Sequence, residues 1–200
     1  MTRTDGDLKT KLLNQIENLG QERSLLPFSA ASIDATITQL ENTNPILEPL
    51  LADNFPALIG DWQLIYASNG TVLTRPLAEI TNFLGNAMAI NKIWQSLTVQ
   101  NDQIMAQNQA LIKFPLLGIY RLAAEGIWRS QTDQRTAMVS FDAFTIQAVQ
   151  FLSQSDWSLP ELKIPVLDLL QNEASWITSY LDEDTRIGRG ATGNVFVFRR

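Results

Sequence analysis

Gly60-Asp-Trp-Gln-Leu-Ile-Tyr-Ala-Ser68 is where the sequence changes period. Before it, apolar residues recur every three or four positions. From it onward they alternate. Alternation over a short run is the mark of a half-buried strand, and it sets Trp62, Leu64 and Tyr66 on one face. Reading downstream, 91–100 carries the stripe Ile93, Gln95, Leu97, Val99 and runs into the turn signal Asn101-Asp102. Residues 103–113 follow, and 119–130 put Tyr120, Leu122, Ala124, Gly126 and Trp128 on one face. After the turn Gln131-Thr-Asp-Gln134 come 135–142 and 144–151, then Trp176–Leu181 and Asn194–Arg199 near the end. One helix is expected inside this series, opened by Pro76 and closed by Gly85. Residues 153–175 allow a strand, a loop, or a helix at 166–171. Seven or eight evenly spaced strands predict an antiparallel barrel or sandwich. Helices do not alternate with strands after residue 86, which disfavours a parallel α/β sheet.

Upstream, Leu8, Leu12, Ile16 and Leu19 share a helical face, with Gly20 as a stop. Ser29 is placed to cap a second helix with the stripe Ile33, Ile37, Leu40. The polar faces carry both signs of charge, so packing on the domain is favoured over a membrane-surface role. The expected organisation is a helical segment at 1–44, a stiff linker at 45–59 carrying Pro45, Pro49 and Pro56, and a β-barrel at 60–200, the helices packed on it.

Composition narrows the function. The 200 residues hold no cysteine and no histidine. Disulfides, zinc–thiolate sites, thiol catalysis, the usual serine triad and His-ligated metals are therefore excluded. A net charge of -6 argues against nucleic acid, whose phosphates need a basic face. No apolar run is long enough for a spanning helix. The first residues, Met1-Thr-Arg-Thr-Asp-Gly-Asp7, have neither the apolar stretch of a secretory signal nor an Arg- and Ser-rich leader. These features point to a binding protein rather than an enzyme, with no cofactor and no metal.

Two constellations stand out. Gly60-x-Trp62 opens the first strand, where the indole can close a barrel end beneath an arginine; Arg186 and Arg189 are the candidates for that cation–π contact. The second is Tyr180-Leu-Asp-Glu-Asp-Thr-Arg-Ile-Gly-Arg-Gly190. By period two, Asp182, Asp184 and Arg186 share a face, so ion pairing that locks the strands competes with an arginine that binds an anionic head group. The expectation is that Arg186 pairs with these acids or stacks on Trp62. Arg189, set between two glycines, is left freer to meet a ligand. Trp94 and Trp128 lie mid-strand among five tryptophans and suit an apolar cavity. The stretch from Arg186 to Arg200, with Phe196 and Phe198, is the expected contact for an anionic membrane surface.

These segments together resemble the plastid-lipid-associated protein family, also called plastid fibrillins. Leu40-Glu-x-x-Asn44-Pro45 is similar to its lead-in, Leu58-Ile-Gly60-Asp-Trp62-x-Leu64-x-Tyr66-Ala-Ser68 to its first strand, and Trp176 through Val197 to its C-terminal signature. Ala67 and Gly188 depart from the family's usual Thr and Ser. The resemblance implies a lipocalin-like barrel after a helical segment. It also implies association with apolar isoprenoid, carotenoid or acyl lipids at photosynthetic membranes, plastoglobules or lipid droplets. A cyanobacterial-type member, cytoplasmic or peripheral on a thylakoid, is the expectation. Trp94, Trp128, Arg189 and Tyr180 are the candidate ligand contacts; Gly60, Trp62, Arg186, Asp182 and Asp184 are the candidate closure residues. Two alternatives stand beside this: a scaffold that recruits enzymes of prenylquinone or carotenoid metabolism or coats lipid bodies, and a lipocalin-type lyase or isomerase.

Overall fold

The structure, a computed structural model, describes residues 3–26, 30–71, 89–114, 118–150, 162–165 and 173–200. The helix expected at 76–85 and most of 153–175 lie outside the described residues. Three helices come first: α1 (Arg3–Leu19), α2 (Gln21–Leu25) and α3 (Ala31–Glu41). Gly20 takes a positive φ of 76° between α1 and α2, so the chain turns there and immediately resumes a helix. α3 starts one residue later than expected: its N-cap is Ala30, which makes no side-chain capping bond. A short α4 (Phe55–Leu58) leads into the strands β1 (Gly60–Ala67), β2 (Ala89–Gln100), β3 (Gln103–Phe114), β4 (Gly118–Ser130), β5 (Thr136–Gln150), β6 (Leu162–Pro165), β7 (Ala174–Leu181), β8 (Thr185–Gly190) and β9 (Val195–Arg199).

All pairings are antiparallel. The order β1-β2-β3-β4-β5-β7-β8-β9 closes on itself through β9 and β1, giving an eight-stranded barrel to which β6 adds along β5. The two segments expected at 135–142 and 144–151 are one strand. A register shift opposite Glu125 and Gly126, around Asp142, bends it rather than ending it. β8 begins only at Thr185, later than the extended reading of 182–186 implied, because the chain turns at 182–184.

A second bulge corrects the reading of the first strand. Trp62 and Leu64 point into the bore, but a register shift between Leu64 and Tyr66 turns Tyr66 outward. β7 has the matching shift between Thr178 and Tyr180. The two bulges put both tyrosines on the outer face of the barrel, under the helices. There Leu12, Ile16, Ile33, Ile37 and Leu40 pack on Tyr66, Tyr180, Ile187, Val195 and Val197. The second core is the bore itself, with Trp62, Leu97, Ile112, Trp128 and Phe198 among its residues.

Residues 45–59 do more than span a gap. A 3-10 turn at Ala52–Asn54 and α4 fold across one barrel end, here the lower end, where β1 begins and β9 finishes. Leu50 and Leu58 insert into the bore core. The Leu50 N–H donates to the Gln134 carbonyl at 2.9 Å, tying this segment to the β4–β5 turn.

Candidate functional site

The lower end of the bore is built around Arg186. β8 points this side chain inward between the rings of Phe198, Trp62 and Trp128, with its guanidinium carbon 4.4, 5.1 and 5.8 Å from their centroids. It is completely buried. Its Nη2 donates to Gln95 Oε1 at 2.5 Å, and Gln95 Nε2 passes the chain on to Asn108 Oδ1 at 2.6 Å. Among the described residues, Nε and Nη1 have no hydrogen-bond acceptor. Burial, helped by the nearby charge of Arg200, pushes the guanidinium pKa down from its ordinary value to about 9.

Trp62 is held from several sides. Its Nε1 donates to the Leu58 carbonyl at 2.8 Å. The Arg200 guanidinium lies 4.3 Å from its ring centroid and donates to the carbonyls of Ala57 and Ile59. Gly60 has a φ of 130°, and a Cβ there would sit 3.6 Å from Arg200 Nη2. Its glycine is thus required by backbone conformation, with the Arg200 head packed alongside. Trp176 completes the aromatic floor, 5.8 Å from Trp128 and 5.3 Å from Phe196. It lies directly on Gly188: a Cβ there would fall 2.0 Å from the indole.

The expected Asp182–Asp184–Arg186 ion-pair network does not form. Period two does not hold across 182–184, because these residues make a tight turn. Asp182 Oδ1 accepts the N–H groups of Asp184 and Thr185 at 3.0 and 2.8 Å, and Oδ2 accepts the Tyr180 hydroxyl at 2.7 Å. Their cation is Lys9 of α1, which bonds Asp182 at 2.9 Å and also pairs with Asp184. Burial raises the Asp184 carboxyl, but its bonds from Lys9 and Thr185 outweigh that and hold it below the usual value.

Arg189 is not free either. It leaves the opposite side of β8 and forms a two-armed pair with Glu41 of α3, both bonds at 2.7 Å. Glu41 holds its pKa above the usual arginine value, against the effect of burial. Tyr180 belongs to the helix-facing core. Trp94 stands on the outside of β2, with the Lys92 ammonium 5.4 Å from its ring. Of the four candidate ligand contacts, Trp128 alone faces the bore. Most of the proposed membrane stretch is engaged elsewhere: Arg186 and Phe198 are buried, Phe196 packs on the bore core, and Arg189 and Arg200 have partners, which leaves Arg199 as its exposed cation.

Sequence reasoning put Leu122, Ala124 and Gly126 on one face but missed how that face continues through β5 and β6 to the upper end of the bore. Ala106, Ala110, Ala124 and Gly126 line its wall in register. Leu122 pairs with Ile146 and Ile146 with Leu162, so these three share the inward face. Yet Ile146 is 37% and Leu162 62% exposed. Large apolar side chains that face inward and still meet solvent make an apolar mouth at this end. The signal was present in the alternation of 119–130, but the bulge at Asp142 hid its continuation into β5.

An aromatic, cation-plugged floor, a wall of small side chains and an apolar mouth define the class: a lipocalin-like barrel with a helical layer on one side. The chain belongs to the PAP_fibrillin family, whose model matches residues 6–199. It is 26% identical to the "Light-induced protein, chloroplastic" of Solanum tuberosum, over 95% of this chain and 66% of that protein. It is 27% identical to the "Chromoplast-specific carotenoid-associated protein C1, chromoplastic" of an Oncidium hybrid cultivar, over 96% of this chain and 68% of that protein. The chain therefore spans about two thirds of the length of these relatives. Among the described residues, no helix is long and apolar enough to cross a membrane, and no cluster of three or more acids could hold a metal ion.

Proposed function

We propose that this chain binds one apolar lipid of isoprenoid, carotenoid or acyl class in the bore of its barrel. It acts as a lipid-associated protein at photosynthetic membranes or lipid droplets, not as a catalyst. The observation that carries this reading is the inward-facing, solvent-exposed pair Ile146 and Leu162 above a bore whose β3–β4 wall includes Ala106, Ala110, Ala124 and Gly126. A barrel of about eight strands either fills with side chains or holds one small ligand, and small wall residues favour the second. The carotenoid association in the name of the Oncidium relative supports the choice of ligand class. The floor is sealed by Trp62, Arg186 and α4, so the lipid enters from the upper end.

The reading is tested by expressing the chain in carotenoid-producing photosynthetic cells, purifying it without detergent and extracting bound lipid. Pigment or prenyl lipid at close to one molecule per chain is expected. An empty protein that also ignores added lipid would instead favour the scaffold role, with the outer face recruiting prenylquinone-synthesis enzymes or coating lipid bodies.

A further inference from the structure

The barrel wall has a seam beside the helical layer. β1 pairs with β2 only from Gly60 to Gln63, opposite Leu97 to Trp94. Beyond that point β1 follows β9 and β2 follows β3, and among the described residues no ladder joins them. The seam thus starts between Leu64 and Ile93, both of which face the bore. α2 lies over it. The Gln21 side-chain amide donates to the β2 carbonyls of Ile90 and Asn91 at 3.1 and 2.8 Å, and Leu25 is inserted into the bore core. A groove of about 350 Å³ runs along this seam, within the size range of small-ligand sites. Its lining joins bore-facing Leu64, Ile93 and Leu25 to Leu13 and Ile16 of α1 and to the outward-facing Gln63, Lys92 and Arg199.

The charge at this groove runs against that of the chain. The protein carries a net charge of -6, yet the groove has two cations, Lys92 and Arg199, and one carboxylate, Glu17. Both cations are exposed, and neither has an ion pair with a carboxylate among the described residues. Leu13, Ile16, Leu25, Leu64 and Ile93 form an apolar track leading away from them. Apolar track and unpaired cations match a single-chain amphiphile with an anionic end.

We propose that this groove is a second binding site, for a free long-chain carboxylate such as a fatty acid. Its carboxylate lies between Lys92 and Arg199 and its chain lies along the seam beneath α2. The inference rests on the lipid-binding reading but uses different residues from the bore mouth, so the two fail separately.

The test is a titration with cis-parinaric acid, its methyl ester and the neutral polyene β-carotene. The wild-type chain is compared with Lys92→Ala/Arg199→Ala, Glu17→Gln and Ile146→Glu, all at exposed or half-exposed positions, with circular dichroism as the check on folding. The double substitution should weaken the acid about tenfold, the sum of two exposed charge contacts, and leave ester and carotene unchanged. Glu17→Gln should tighten the acid, and added salt should weaken it. Ile146→Glu should affect carotene and spare the acid. Equal affinity for acid and ester in every variant would overturn the proposal. So would acid binding that is lost in Ile146→Glu and untouched by the double substitution. A wild-type chain that binds the acid but not carotene would sink the bore reading and leave the groove standing.

Discussion

Arg186 offers the sharpest check on how the barrel floor is held. It is a fully buried cation that has, among the described residues, no carboxylate partner, one hydrogen bond to Gln95, and three aromatic rings around it. The depression of its pKa from the ordinary arginine value to about 9 corresponds to a burial penalty on the order of 5 kcal/mol, at about 1.4 kcal/mol per unit. Because the folded value lies below the unfolded one, that penalty is fully present below pH 9 and is relieved as pH rises from there toward the unfolded value. Against it stand desolvated cation–π contacts, roughly 1–2 kcal/mol each, and a charge-assisted hydrogen bond worth about 1.5–3 kcal/mol. The charge therefore comes close to balance, and what remains is shape. Arg186→Met, which keeps most of the volume, should stay within about 2 kcal/mol of wild type at pH 7, as replacements of buried ions often do. Arg186→Ala opens a cavity among the rings and should cost about 3–5 kcal/mol. At roughly 2–4 °C per kcal/mol for a chain of this size, the alanine variant should melt about 6–20 °C lower. Thermal melts followed by near-UV circular dichroism report on the ring cluster directly. A methionine variant as damaged as the alanine variant would refute the balance and show that the charge itself holds the floor.

Other expectations follow from neighbouring contacts. Gly188→Ala places a methyl group 2.0 Å from the Trp176 indole and should cost at least about 1–3 kcal/mol in urea denaturation; adding Trp176→Leu should recover most of the loss. Glu41→Ala and Arg189→Ala should each loosen α3 on β8, and their double-mutant cycle should give a coupling of about 1 kcal/mol or more, since the pair is two-armed and half-buried. Asp184 has a folded pKa below its unfolded 3.8, so its contribution is present above that value and lost as pH falls through the folded one. Acid titration of stability below pH 4 should therefore be shallower in Lys9→Ala than in wild type.

The fold was legible where side-chain alternation was unbroken and obscure where a bulge reset it. Residues 119–130 form one uninterrupted strand, and every residue assigned to its inner face is there. Tyr66 and Tyr180 were misplaced because one extra residue in β1 and one in β7 reverse the face, and nothing in the local residue types announces a bulge. Asp142 was read as a strand end for the same reason. The closure residues were partly legible. Gly60-x-Trp62 and an arginine are hallmarks of a sealed barrel end, but which arginine reaches the ring depends on the tightness of the 182–184 turn. Arg200, at the chain terminus, gave no sign that it would cross back to α4. Gln95, a polar residue in the stripe Ile93, Gln95, Leu97, was the overlooked signal: a glutamine on a core face needs a partner, and it has Arg186. Trp94 shows the converse, since a tryptophan mid-strand is as ready to cover an outer face under a lysine as to line a cavity.

The central claim is that the upper bore takes up an apolar lipid, and saturable quenching of tryptophan emission by β-carotene tests it most directly. Trp128 and Trp176 lie in the bore floor, within energy-transfer reach of a polyene threaded from Ile146 and Leu162. The account predicts quenching that saturates at one carotene per chain in the wild type and is lost in Ile146→Glu/Leu162→Glu, a variant whose substitutions fall at exposed positions. Quenching that is absent from the wild type, or equally strong and saturable in the double variant, would contradict it.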